Sequence, residues 1–343
     1  MTRLDDYRSA LLVAFREVSD NTLARAVDER GAEFVSFVVD HGLGPQWHAR
    51  TGRAEFHESR LSAEALYVAQ EQALGEVDAR LVDTGVPFAV IKGAANRLLL
   101  YDNPAIRACH DIDVLVLRGD RVRAATALVD AGFEPKPEAR SISRELVLTK
   151  GHVNVDLHWG LLREGRLRGE PTPDMLDRRR RVADQWMLGA EDALLALLVH
   201  PAFAKHLGGW DMGLHRVADI LNWLMTQQFD WQVVLDRLEH YGARTAAWAA
   251  LRWVQLLADP NAPNRLRSML SDLRPGPVRG RWLSRWLEND LSEKTSGIHL
   301  LRLLGFTIML HDTTADAARA VAGRWRARHS EDEDLMAFRE LLG

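Results

Sequence analysis

The stretch that most constrains this chain is Pro87–Val116, PFAVIKGAANRLLLYDNPAIRACHDIDVLV. Its pattern predicts a strand, a Gly turn, a short helix, a loop and a second strand. The second strand carries Asp111-Ile112-Asp113. Successive side chains of a strand point to opposite faces, so Asp111 and Asp113 share one face and Ile112 points into the core. Two carboxylates held side by side repel unless positive charge lies between them. A hard divalent cation meets that need, because Mg²⁺ favours oxygen ligands and binds one or two carboxylates together with substrate phosphates. Upstream, Val90-Ile91-Lys92-Gly93 ends the first strand at a glycine followed by a helix. At such a turn a phosphate can come close to the backbone, and the N–H groups of the helix point at it.

A third carboxylate follows from a predicted hairpin. Glu145–Thr149 and Val153–His158 alternate around Lys150-Gly151. Val153, Val155 and Leu157 take one face of the second strand; Asn154, Asp156 and His158 take the other. If the apolar faces bury together, Asp156 rises on the surface that carries Asp111 and Asp113.

In this order the pieces resemble the nucleotidyltransferase superfamily with the DNA polymerase β-type fold. More narrowly, they resemble a family of bacterial nucleotidyltransferases whose motif runs KG…R…DIDLLV…DLHW. Here the matching residues are Lys92-Gly93, Arg107, Asp111-Ile112-Asp113-Val114-Leu115-Val116 and Asp156-Leu157-His158-Trp159. The resemblance runs from about Leu23 to about Leu224 and is more specific for fold than for substrate. It implies transfer of a nucleoside monophosphate from an NTP to an acceptor hydroxyl, on a small molecule, a peptide or protein, or an RNA end, with Mg²⁺, or Mn²⁺ in its place, held by Asp111, Asp113 and Asp156. Two such ions can clamp the attacking and leaving oxygens of an in-line displacement. The same site would also serve a phosphotransferase, or a nucleotide-binding regulatory module without turnover.

The resemblance also gives nucleotide-binding candidates: Lys92, Gly93, Asn96, Arg107 and His158. Lys92 stands where the wider superfamily has a small residue. It either neutralises triphosphate charge or is a surface lysine at a strand end. Arg107 either grips the triphosphate with its fork of donors or forms a local ion pair. For His158, a hydrogen bond within the sheet outweighs a role toward the acceptor. His200, Lys205, His206 and Asp219 resemble the family's downstream helical pattern. The His200–His206 spacing is not that of a zinc pair, and tying helices to the sheet is its better reading.

The rest of the chain predicts helices. Helical spacing recurs over residues 4–18, 21–41 and 62–83, with a polar loop at 46–58. From about Gly189 onward the pattern is helical, with Trp282 and Trp286 at core spacing in a helix Val278–Leu291. The Arg-rich segment Asp174–Asp184 predicts an exposed linker, and Glu331–Asp334 a helix start. The expected fold is α+β: a small mixed nucleotidyltransferase-type sheet with flanking helices, embedded in a mostly helical chain. Its parts are an N-terminal helical region (1–84), a catalytic core (85–165) and a C-terminal helical domain (166–343).

A formal net charge of −4 disfavours a chain built to grip nucleic acid and favours a small-molecule or peptide acceptor. The single cysteine, Cys109, excludes an internal disulfide framework and a Cys-rich zinc site. The first residues lack the basic and apolar runs of a signal peptide, and Ile298–Leu310 is too short to span a bilayer. These features predict a cytoplasmic protein with no membrane partner.

Overall fold

The computed structural model describes residues 3–136, 144–207, 213–289, 299–338 and 341. Seven strands form one mixed sheet in the order β3-β4-β5-β2-β1-β7-β6. They are β1 (Phe88–Ile91), β2 (Asp111–Val116), β3 (Glu134–Pro135), β4 (Glu145–Lys150), β5 (Val153–His158), β6 (Arg180–Val182) and β7 (Gln185–Met187). β1 runs antiparallel to β2, β2 parallel to β5, and β5 antiparallel to β4. With helices around this sheet, the fold is the α+β arrangement expected from the sequence.

The period-2 alternation of the strands decides what covers each face. Ile112, Val114 and Val116 of β2 join Val153, Val155 and Leu157 of β5 in one apolar cluster. Helix His57–Asp83 closes that side with Ala73, Leu74, Val77 and Leu81. The opposite face presents Ala89, Ile91 and Leu115 to a second cluster. That cluster unites the N-terminal helices with the helices after residue 190, through side chains such as Leu23, Val38, Trp47, Leu195, Val217 and Trp253. Asp111, Asp113 and Asp156 sit on this second face, where the helices leave a gap.

Several local expectations are corrected. Residues 46–58 do not form a loop: helix Gly44–Thr51 and a 3₁₀ turn at Ala54–Phe56 fill that interval. Trp47 and Phe56 are fully buried there, and Trp47 Nε1 donates to Ala10 O over 3.0 Å. Two aromatic anchors thus organise a segment whose polar residues hide its period. The helix over 21–41 breaks at Gly31, where φ is +71°. Asp174–Asp184 is not a bare linker. It holds the end of helix Thr172–Asp177 and runs through β6 into a hairpin whose second strand, β7, lies parallel to β1. Arg181 is not solvated freely but forks onto Asp78 at 2.9 and 3.1 Å. Glu331–Asp334 lies inside helix Thr314–Ala337 rather than at its start. Trp282 and Trp286 stack at 5.8 Å as their spacing predicts. Leu291 and Ile298, outer ends of two expected helices, lie outside the described residues. Among the described residues, no helix is long and apolar enough to cross a membrane.

Candidate active site

The parallel register of β2 and β5 sets Asp113 beside Asp156 and Asp111 beside Asn154. Strand alternation then puts all three carboxylates on one face. β4 adds a fourth: Glu145 pairs with His158 in register, and its Oε2 lies 3.4 Å from His158 Nδ1. Asp113 is buried, and its Oδ1 is 2.6 Å from Lys92 Nζ and 2.7 Å from His158 Nε2.

Lys92 reaches that position through an unusual backbone. It opens helix Lys92–Leu100 directly after β1 and adopts φ of +54°. A side chain other than glycine in this left-handed region costs roughly 1 kcal/mol or more, and such residues gather at functional sites. The turn aims the ammonium across the end of β1 at Asp113 instead of letting it trail into solvent. The surface-lysine alternative for Lys92 therefore fails.

These groups open into a cavity of about 410 Å³ between the sheet and two helices, Ala190–Lys205 and Leu214–Thr226. Asp111, Asp113, Asp156 and Glu145 line the sheet side. His200, Lys205, His215 and Arg216 line the helical side. Burial holds the imidazoles of His200 and His215 well below their usual range, so Lys205 and Arg216 supply the positive charge that faces the acidic wall, an arrangement that suits a cation and a phosphate chain held between them. Arg216 was not singled out from the sequence. Its signal was available, since it precedes Asp219 by three residues and so shares that helix face. Glu145 also went unassigned, although it has the strand parity of Asp156 once the hairpin is paired.

Asn96 and Arg107 border the cavity, and both are bound to Asp219. Asp219 is fully buried. It accepts from Asn96 Nδ2 at 3.0 Å, Tyr101 OH at 2.9 Å, Arg107 Nη2 at 2.6 Å and Arg107 Nε at 3.3 Å. Burial alone would weaken the charge of Arg107, and the adjacent Asp219 carboxylate more than restores it. This latch joins helix Lys92–Leu100, the loop after it and helix Leu214–Thr226 behind the cavity. His206 lies away from the latch, capping helix Ala190–Lys205 in the left-handed region at φ of +54°.

Gly93 has a packing reason to be glycine. A Cβ there would meet Arg107 Nη1 and Cys109 Sγ, each at 2.8 Å. The guanidinium cannot retreat, because Asp219 and the Ala108 carbonyl hold it. Gly93→Ala should therefore lower stability by about 1–3 kcal/mol, the usual cost of overpacking. Urea unfolding measures it, and an unchanged midpoint would refute this packing account. Cys109 is buried, and burial pushes its thiol up to about 11, opposed by Arg107 and Arg97, so it is not a poised nucleophile.

The carboxylates divide electrostatically. Burial works against the charge of Asp113, yet Lys92 and His158 hold it well below the usual carboxylate range. Burial, then the neighbouring Asp113, raises Asp111. Burial, followed by repulsion from Asp113, Asp111 and Glu145, pushes Asp156 up to about 7. The folded Asp156 thus holds its proton more tightly than the unfolded chain does, near 3.8. Its contribution to stability is present below about pH 4 and lost as pH rises toward 7. Without divalent metal, stability should fall across that window by about 2 kcal/mol from this group, after discounting for its partial exposure. Asp156→Asn should flatten the slope in a pH series of thermal melts; an identical slope in both proteins would contradict the assignment.

One ligating atom each from Asp113, Asp156 and His158 lies within 4.8 Å of the others, a group able to hold a metal ion. Its donors fit a small divalent cation: carboxylate oxygens joined by one imidazole nitrogen. Asp111 and Asp156 are raised first by burial and then by their acidic neighbours, and a cation among them would relieve that repulsion. Asp111 shares the face but is not one of the three clustered residues.

No curated protein and no solved structure matches the chain. The sequence model described as "Uncharacterised nucleotidyltransferase" matches residues 39–259, well over half of the chain. That interval contains β1 to β7, the acidic wall and both helices of the basic wall. With its paired-strand aspartates on one wall of a cavity and Lys205 and Arg216 on the other, this chain belongs to that nucleotidyltransferase family.

Proposed function

We propose that the protein transfers a nucleoside monophosphate from an NTP to the hydroxyl of a small molecule or peptide, with Mg²⁺ held at the acidic wall. The observation that carries this reading is the pairing of Asp113 with Asp156 across adjacent strands, in a cavity whose far wall bears Lys205 and Arg216. Asp111, Asp113 and Asp156 would hold the metal, with His158 beside them. Bound there, Mg²⁺ supplies charge neutralisation for the phosphates and lowers the pKa of a ligated oxygen.

The chain's own residues do the rest. Arg216 and Lys205 face the phosphate chain and offset its charge. The acceptor oxygen forms a bond to the α-phosphorus, the bond from that phosphorus to the α,β-bridging oxygen breaks, and pyrophosphate leaves. The hydroxyl proton needs a nearby base. Asp156 is placed to take it on a carboxylate oxygen, since it sits on the open face of β5 beside Asp113. The Asp219 latch keeps Asn96 and Arg107 fixed behind the phosphates.

Product analysis tests the reading. The protein is incubated with each NTP, Mg²⁺ and pools of hydroxyl-bearing metabolites and peptides. A product heavier by a nucleoside monophosphate, with equimolar pyrophosphate, supports it. A product heavier by phosphate alone would replace it with phosphoryl transfer. NTP binding without any turnover would leave a nucleotide-binding module.

A further inference from the structure

Lys92 touches the same atoms that a metal would use. Its Nζ lies 2.6 Å from Asp113 Oδ1 and 3.1 Å from His158 Nε2. Those residues are two of the three in the cation-sized cluster. The ammonium is thus a cation placed where the cluster would receive one. Its contacts are not those of a lysine waiting for a phosphate, since its reach ends on a carboxylate and an imidazole. A divalent ion and an ammonium cannot share these lone pairs, because like charges about 3 Å apart repel strongly even in a partly polar site.

We propose that Lys92 is an internal placeholder cation: it occupies the metal position in the free protein, is displaced when the metal binds, and then turns to the phosphates of the nucleotide. The proposal rests on the metal reading given above and adds an order of events to it. Without metal, Lys92 offsets part of the negative charge of Asp111, Asp113 and Asp156. A divalent ion offsets more, so the exchange is favourable, but each ion must displace an ammonium to enter. The freed side chain needs a new anion. Its backbone is fixed at the start of helix Lys92–Leu100, so its swing stays inside the cavity that Lys205 and Arg216 also line. A triphosphate supplies that anion. Metal and nucleotide should therefore each tighten the binding of the other by the same factor, as linkage requires. Lys92 is in this sense a positioning residue that couples the two.

The test follows the lysine rather than turnover. The full chain is treated with an amine-acylating reagent, and labelling at each lysine is quantified by mass spectrometry. This is done without metal, with Mn²⁺ alone, and with Mn²⁺ and a non-hydrolysable NTP. Labelling of Lys92 should rise about fivefold or more with Mn²⁺ and fall back with the analogue. Lys150, paired with Glu76 away from the cavity, should stay constant. In parallel, Mn²⁺ affinity is measured by electron paramagnetic resonance on wild type, Lys92→Met and Lys92→Arg, each checked for an unchanged circular dichroism spectrum. Lys92→Met should bind Mn²⁺ about tenfold more tightly than wild type without nucleotide, and the analogue should tighten it by a smaller factor than in wild type. Lys92→Arg should retain weak metal binding. Mn²⁺ binding with constant Lys92 labelling, or no tightening in Lys92→Met, would overturn the placeholder and leave the metal site standing. No Mn²⁺ binding by any of the three proteins would overturn both.

Discussion

Asp113→Asn should reduce nucleotidyl transfer by a factor of about a thousand or more while the protein stays folded. Three observations meet on this residue. Its register partner is Asp156, its Oδ1 is approached by both Lys92 and His158, and it alone of the three aspartates is held well below the usual carboxylate range. It is therefore the charge that persists at any working pH, whereas Asp156 is partly protonated near neutrality. Asparagine keeps the shape and one acceptor but removes the charge that would hold the cation. Metal-borne stabilisation of transferring phosphoryl oxygens is worth several kcal/mol, and each ~1.4 kcal/mol is a factor of ten in rate. The fold should tolerate the change, since Lys92 is partly exposed and retains Asp111 as a charged neighbour. Pyrophosphate release under saturating NTP and Mg²⁺ gives the rate, and a thermal melt reports the fold. Activity within tenfold of wild type would remove Asp113 from the site.

Asp219→Ala should cost about 3–5 kcal/mol of stability, the range for stripping one partner from a buried ion pair. The reason is the number of groups left stranded. The fork of Arg107 would be buried with no counter-charge, and Asn96 Nδ2 and Tyr101 OH would lose their acceptor. Unsatisfied buried donors add their own desolvation penalty. A loss of that size is a large part of the stability of an ordinary domain. The double variant Arg107→Met, Asp219→Leu removes charge from both sides and should recover much of it, since apolar replacement of a buried pair is often near neutral. Urea titrations of Arg107→Met, Asp219→Leu and the double complete the cycle. If Asp219→Ala loses less than about 1 kcal/mol, the latch is not what holds the helix behind the cavity. Transfer activity should fall in the double variant as well, because Asn96 loses the acceptor that fixes it at the edge of the cavity.

The strands were legible because their signal is local. Period-2 alternation in Asp111–Val116 and Val153–His158, bounded by Gly and Pro, depends on each strand alone. The same alternation committed Asp111, Asp113 and Asp156 to one face. The segment 46–58 was misread for the opposite reason. Trp47 and Phe56 become anchors only because Ala10 and Phe34 come from elsewhere to meet them. β6 and β7 were hidden by arginines, whose stacking on Trp186 and fork on Asp78 are invisible until the hairpin reaches the edge beside β1.

By itself, the sequence determined which side chains share a face, where the chain turns, and that three carboxylates need positive charge. These are properties of bond geometry and neighbours within a few residues. Only the tertiary structure decided which cation each carboxylate meets. Lys92 and Asp113 are 21 positions apart, and Arg107 and Asp219 are 112. Nothing in the local chain distinguishes an arginine aimed at a phosphate from one locked to a buried aspartate. That choice depends on where helix Leu214–Thr226 packs: Val217, Ile220, Leu221 and Trp223 bury it in the larger apolar cluster, and so bring Asp219 to Arg107.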